Sequence, residues 1–279
     1  MITLDLGRLQ GPLLIFGGPY GNLQATQALR REAERLGIAP DQIICNGDLV
    51  AYCAEPQQTV DYLRRWGVVM MQGNCEQSLA DGSLDCGCGF EQGSTCSLLS
   101  QQWYRFCMEQ TLQSTRSWMG SLPEQIRFEL AGRTCQVIHG GLSRNNRFLF
   151  SDTDEQAFAE ELSLTDAELI IGGHCGIPFG RALSGRHWLN SGVIGMPAND
   201  GSRDGWYLLL ETTDEGGLKA CWHRLAYDAE QAAQQMRLHG LDNGYAKALL
   251  SGVWPSNDVL PTPLKALQGQ RLTLSPLFI

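Results

Sequence analysis

No apolar run in this chain approaches the ~20 residues that a membrane-spanning helix needs, so a membrane span is not expected. Positive charge is in deficit. Lys and Arg total 21 against 30 Asp and Glu, a net charge of −9. That balance argues against general affinity for a nucleic acid backbone or an anionic membrane surface, both of which select clustered cations. The opening segment Met1–Gln10 carries Asp5 and lacks the basic region that begins a secretory signal. The expected compartment is therefore cytoplasmic and reducing, and disulfides are not expected. No internal repeat is visible.

The chain does hold enough residues for one large α/β domain or two small ones. Its 43% hydrophobic and 18% charged composition reads as globular. Ten cysteines are many for such a chain. Cys45, Cys53, Cys107, Cys135 and Cys221 lie in apolar or mixed segments and read as core residues. Cys75, Cys86, Cys88, Cys96 and Cys175 lie in Gly-rich loops instead.

Pro12–Gly17 is a short apolar run ending in glycines and reads as a buried strand. Asn22 can cap the helix-periodic segment that follows and runs to Gly37. A second strand is expected over Asp41–Asn46, a helix over Gln57–Trp66 and a third strand over Val68–Gln72. Such alternation predicts a parallel sheet with sites at the carboxyl ends of its strands. Residues 77–97 have no period and read as one long loop. Helical stretches are expected over 97–110 and 111–120, a hairpin over Gln125–His139, a helix over 154–163 and a strand over 168–172. Segments 187–194, 205–211 and 219–225 read as an antiparallel meander. Helices over Ala226–Leu238 and Tyr245–Leu250 follow. The proline-containing tail from 251 to 279 is expected to be an extended surface arm, outside a single domain spanning 1–250.

One grammar recurs four times: an apolar run, then glycine, with a potential ligand beside it. The segments are Cys45–Tyr52, preceded by Ile43 and Ile44, then Val69–Glu76, Gln136–Gly141 and Leu169–Gly176. A carboxylate among apolar residues, such as Asp48, is costly to bury unless something pairs with it. Four strand ends, each presenting a hard or borderline ligand, therefore point to a metal centre, and the family resemblance that follows implies Asp48, Asn74, His139 and His174 as its set. A carboxylate, an amide oxygen and two imidazoles suit Mn²⁺, Fe²⁺ or Zn²⁺ without choosing among them. A second, softer site built from Cys75, Cys86, Cys88, Cys96 and Cys175 is an alternative, although no C-x2-C knuckle supports it. Small cysteines packed into a Gly-rich loop are another.

The ordered set Gly47–Asp48, Gly73–Asn74, His139–Gly140, Gly173–His174 and Asn190–Ser191–Gly192–Val193 closely resembles the calcineurin-like metallophosphoesterase superfamily, in its bacterial branch of small phosphodiesterases. The resemblance covers roughly residues 12 to 250. It implies a four-layer α/β/β/α sandwich of two mixed sheets and a two-metal site that hydrolyses phosphate esters. Carried over residue by residue, it implies that Asp48 is the bridging carboxylate and that Asn74, His139 and His174 complete the second metal's ligands. The family's opening Asp-x-His falls on Gly18–Pro19–Tyr20, and the last His of Gly-His-x-His falls on Gly176. The first metal thus keeps only the shared Asp48. The family's general-acid His falls on Cys75, which becomes a candidate acid or nucleophile beside Asp48 and Asn74. Tyr20 and Asn22, in the vacated loop, and Arg144 are the candidate substrate contacts, with Arg147 and Arg181 as further basic candidates. The expected function is a metal-dependent phosphoesterase acting on a small phosphomonoester, phosphodiester or nucleotide. A catalytically impaired metal- or phosphate-binding protein of the same fold is the alternative, and a structural or regulatory partner protein is a third reading.

Overall fold

The computed structural model describes residues 2–279. Strand β1 (Thr3–Leu9) comes first and is largely exposed. It is followed by β2 (Leu13–Phe16), helix α1 (Leu23–Leu36), β3 (Ile43–Cys45), α2 (Pro56–Trp66), β4 (Val69–Met70) and α3 (Asn74–Asp81). Then come α4 (Thr95–Gln110), α5 (Gln113–Met119), the hairpin β5 (Gln125–Leu130) and β6 (Arg133–Val137), α6 (Glu155–Leu162), β7 (Leu169–Gly172), β8 (Phe179–Leu183) and β9 (Arg186–Asn190). The chain continues through β10 (Gly205–Thr212), β11 (Leu218–Leu225), α7 (Ala229–Leu238), α8 (Gly244–Ser251), α9 (Thr262–Lys265) and β12 (Leu277–Phe278).

These strands form two six-stranded mixed sheets, ordered β1-β5-β6-β7-β9-β8 and β12-β11-β10-β2-β3-β4. The period-2 alternation of a strand decides which face meets which layer. Leu13 and Ile15 of β2 and Ile44 of β3 point between the sheets, where they meet Val137, Leu169, Ile171 and Leu189. Leu14, Phe16, Ile43 and Cys45 point outward, into a core shared with α1, α2, α4, α7 and α8. On the far side, Ile170 and Trp188 pack against Phe158 and Leu162 of α6. The result is the four-layer α/β/β/α sandwich.

Several local expectations need correction. Residues 77–81 belong to α3, a regular helix capped by Gly73 and by the αL Gly82; the irregular loop is 82–94. The meander does not exist as such. Strand β9 hydrogen-bonds in parallel to β7 in one sheet, while the antiparallel pair β10–β11 lies in the other. Strands β1 and β8 carry no strong apolar period, and their ladder partners β5 and β9 define them. The tail is more than a surface arm. Leu260 is buried, and β12 adds to the edge of β11. No helix among the described residues is long and apolar enough to cross a membrane.

Candidate metal centre

The two sheets are pinned together where their strands end. Gly17 forms a parallel bridge to Val193. Asn46, just past β3, donates through Nδ2 to the Gly172 carbonyl and to Ser191 Oγ, each at 3.0 Å. The Asn46 carbonyl accepts from His139 Nδ1 at 2.9 Å. A carbonyl only accepts, so this bond fixes the proton on Nδ1 and turns Nε2 inward.

Around His139 Nε2 lie Asn74 Oδ1 at 3.0 Å, His174 Nδ1 at 3.1 Å and Asp48 Oδ2 at 3.3 Å. The Asn74 amide is oriented by Nδ2, which donates to the Cys86 carbonyl at 2.9 Å, leaving Oδ1 for the centre. Asp48, Asn74, His139 and His174 are all buried. The donor atoms of Asp48, His139 and His174 lie within 4.8 Å of one another. Ligands ~2.1 Å from a cation and about 90–110° apart sit roughly 3.0–3.4 Å from each other, so the observed spacings fit one ion. Without an ion, Asp48 raises the His139 pKa against the effect of burial, so an arriving cation would displace a proton from Nε2. Burial and the neighbouring His139 hold the His174 ring neutral, its pKa pushed down to about 3. Burial works against the Asp48 carboxylate, but His139 outweighs it and keeps the carboxylate ionised.

One residue that organises the centre was not singled out from the sequence. Glu76 is fully buried at N3 of α3. Its Oε2 accepts from the backbone N–H of Asp48 at 2.7 Å and of Gly73 at 2.8 Å, and its Oε1 accepts from Leu49 N at 2.8 Å. It ties the Asp48 turn to the Asn74 helix start. Burial and the nearby Asp48 raise its pKa to about 7. A Glu three residues into a helix beginning at Gly73 is a capping signal that could have exposed it. Gly47 serves the same junction. At φ +104, a Cβ there would meet Gly73 N at 2.6 Å and His139 Nδ1 at 2.9 Å.

The half of the site expected to hold a first metal is built differently. A Cβ on Gly18 would meet Tyr20 Cζ and Val193 Cγ1, each at 2.6 Å. The Tyr20 ring thus fills the space above Gly18. The corresponding point at Gly176 faces Trp254 Cζ2 and Val193 Cγ2 at 3.7 Å. Apolar groups stand where ligands would be needed, so this half does not fit a metal ion. A cavity of about 60 Å³ remains there, reached by Tyr20, Asp48 and His174. On the other face, Asn74 and His139 border a polar cleft of about 420 Å³ that Arg144 lines.

Other candidates are placed elsewhere. Asn22 is occupied as the cap of α1: Oδ1 accepts from Ala25 N and Nδ2 donates to the Gly195 carbonyl, each at 3.0 Å. It is a structural residue and not a substrate contact. Arg147 pairs with Glu160 and Glu161, and Arg181 stacks on Phe158. Cys75 lies beside Asp48, with its N–H 3.4 Å from Asp48 Oδ1. Burial and two carboxylates drive its thiol pKa well up, so its surroundings oppose a thiolate nucleophile. The loop cysteines form no thiolate cluster among the described residues. Contrary to the expectation of free thiols throughout, Cys86 and Cys88 are joined in a disulfide.

Fold and centre together define a class: two mixed sheets whose strand ends converge on a carboxylate, an amide and two imidazoles. A family model for the calcineurin-like phosphoesterase superfamily domain matches residues 21–215. The chain belongs to this superfamily of phosphoesterase hydrolases. The match begins just past Gly18–Pro19–Tyr20. An uncharacterised protein of Methanocaldococcus jannaschii is 24% identical over 251 residues, covering 84% of this chain and 95% of the relative. A metallophosphoesterase from Sphaerobacter thermophilus superposes with a TM-score of 0.68 at 21% identity, covering 88% of this chain and 100% of that one. A hypothetical protein of Pyrococcus horikoshii gives 0.73 at 15% identity, covering 88% and 99%.

Proposed function

We propose that this chain hydrolyses a small phosphomonoester, phosphodiester or nucleotide with one divalent ion, Mn²⁺, Fe²⁺ or Zn²⁺, held by Asp48, Asn74, His139 and His174. The observation that carries the reading is the convergence of acceptors on His139 Nε2. With Nδ1–H given to Asn46, the Nε2 lone pair of the neutral ring faces two oxygen acceptors, Asn74 Oδ1 and Asp48 Oδ2, and a cation satisfies all three.

A divalent ion there supplies electrophilic stabilisation of the phosphoryl group and acidifies water. The protein's own groups do the rest. His139 and Asn74 are held in register by Asn46 and the Cys86 carbonyl. Tyr20, kept protonated by burial and by Asp48, is the phenol donor facing the cavity. Arg144 brings positive charge to the polar cleft, where a leaving group would sit. A buried donor acts in a low dielectric and gains strength from it.

The test has two parts. Metal analysis after soaking in Mn²⁺ or Zn²⁺ is expected to give close to one ion per chain, and near-zero content overturns the reading. A panel of generic phosphoesters with Mn²⁺, run beside His139→Ala, is expected to show turnover that the substitution abolishes. The filling of the first-metal half by Tyr20 favours a second reading, a non-hydrolytic metal- or phosphate-binding protein. Metal binding with no turnover on the whole panel selects it.

A further inference from the structure

The cavity that replaces the first-metal half has an unusual lining. Six aromatic side chains border it: Tyr20, Tyr52, Phe90, Phe148, Tyr245 and Trp254. Among the described residues its lining holds one carboxylate side chain, Asp48, and no Lys or Arg. The rings fall into two packed groups, with Trp254 a further wall. Tyr52 lies 4.7 Å from Tyr20 and 4.5 Å from Tyr245, ring centre to ring centre. Phe148 covers the His174 ring at 4.3 Å and extends to Phe90 at 6.2 Å. Burial keeps the phenols of Tyr20 and Tyr52 neutral, so their contribution is ring faces and hydroxyls.

Such a site discriminates by charge. An aromatic face carries negative quadrupole density and attracts a cation, most strongly where water is excluded. A hard metal ion finds one carboxylate and too few other oxygen or imidazole donors. A weakly hydrated cation with an apolar surface meets every wall favourably. The volume of about 60 Å³ exceeds the roughly 10–15 Å³ that one water needs and suits a compact head group.

We propose that this cavity binds a compact organic ammonium group, which takes the place of the family's first metal. Joined to the phosphoesterase reading, on which this extension rests, it narrows the substrate to a phosphoester whose alcohol carries an ammonium group. The phosphoryl group then lies at the Asp48–His174 side of the centre and the cation between the rings.

The experiment measures binding without turnover. Choline and its neutral isostere 3,3-dimethyl-1-butanol are titrated into the purified protein by calorimetry and ligand-observed NMR, at ionic strength balanced with NaCl. Choline is expected to bind saturably and about tenfold or more tighter than the isostere. Its affinity is expected to fall several-fold in both Trp254→Leu and Phe148→Leu. Equal affinity for the isostere shows a merely apolar pocket and overturns the proposal, as does absence of choline binding. Competition by KCl as effective as by tetramethylammonium chloride shows an inorganic cation site and overturns it too. Choline binding without phosphoester turnover separates this inference from the hydrolytic one, which then fails alone.

Discussion

The phenol ring of Tyr20 lies directly over Gly18, and each residue permits the other. Gly18 adopts φ +49, and a Cβ there would stand 2.6 Å from Tyr20 Cζ. Gly18→Ala is therefore expected to destabilise the fold by about 2–4 kcal/mol through overpacking and backbone strain. Part of that cost belongs to the contact alone. In a double-mutant cycle with Tyr20→Ala, the pair is expected to show a coupling of roughly 1–2 kcal/mol in chemical denaturation. Strict additivity would mean that the ring does not hold this place.

Glu76 joins two ligand-bearing turns through hydrogen bonds to the backbone of Asp48, Leu49 and Gly73. Glu76→Gln retains one carbonyl oxygen but turns an NH₂ toward backbone donors. It is expected to cost roughly 2–4 kcal/mol, since buried N–H groups lose their acceptor. Because the Asp48 and Asn74 ends move apart, metal affinity should fall with it. A variant of wild-type melting temperature and metal affinity would refute this role.

Metal binding should be visible as stability. A ligand that binds only the folded chain adds about 2.7 kcal/mol at one hundred times its Kd. Titrated Mn²⁺ or Zn²⁺ is expected to raise the melting temperature of the chelator-treated protein by several degrees, and His139→Ala should remove the response. A shift that survives His139→Ala would place the ion elsewhere.

Cys75 sits against anionic neighbours, and its thiol pKa lies far above the usual range because of burial and Asp48. Thiolate-directed alkylation of the native protein near neutral pH is expected to leave Cys75 unmodified, while unfolded protein reacts readily. Rapid modification of Cys75 in the folded state, located by mass spectrometry, would restore the nucleophile reading.

The sequence by itself determined the parts that depend on local pattern. Apolar runs ending in Gly mark β2, β3 and β7 because a strand buried on both faces must be apolar throughout. The apolar ends of β3, β4, β6 and β7 locate Asp48, Asn74, His139 and His174, since a polar side chain beside such a run stands out. Substitutions at Gly18, Tyr20 and Gly176 are equally plain as letters. Their consequence is not. Only the tertiary structure shows the Tyr20 ring over Gly18 and Trp254, from a tail without period, opposite Gly176. These contacts join residues far apart in the chain and leave no local signature. Glu76 was hidden for a related reason: its partners are backbone N–H groups, which every residue but proline carries. The placement of β9 and β10 in different sheets likewise follows from ladder partners and not from strand propensity. Local chemistry thus named the candidate ligands, and long-range packing decided that one half of the site has the spacing for a metal ion while the other became an aromatic cavity.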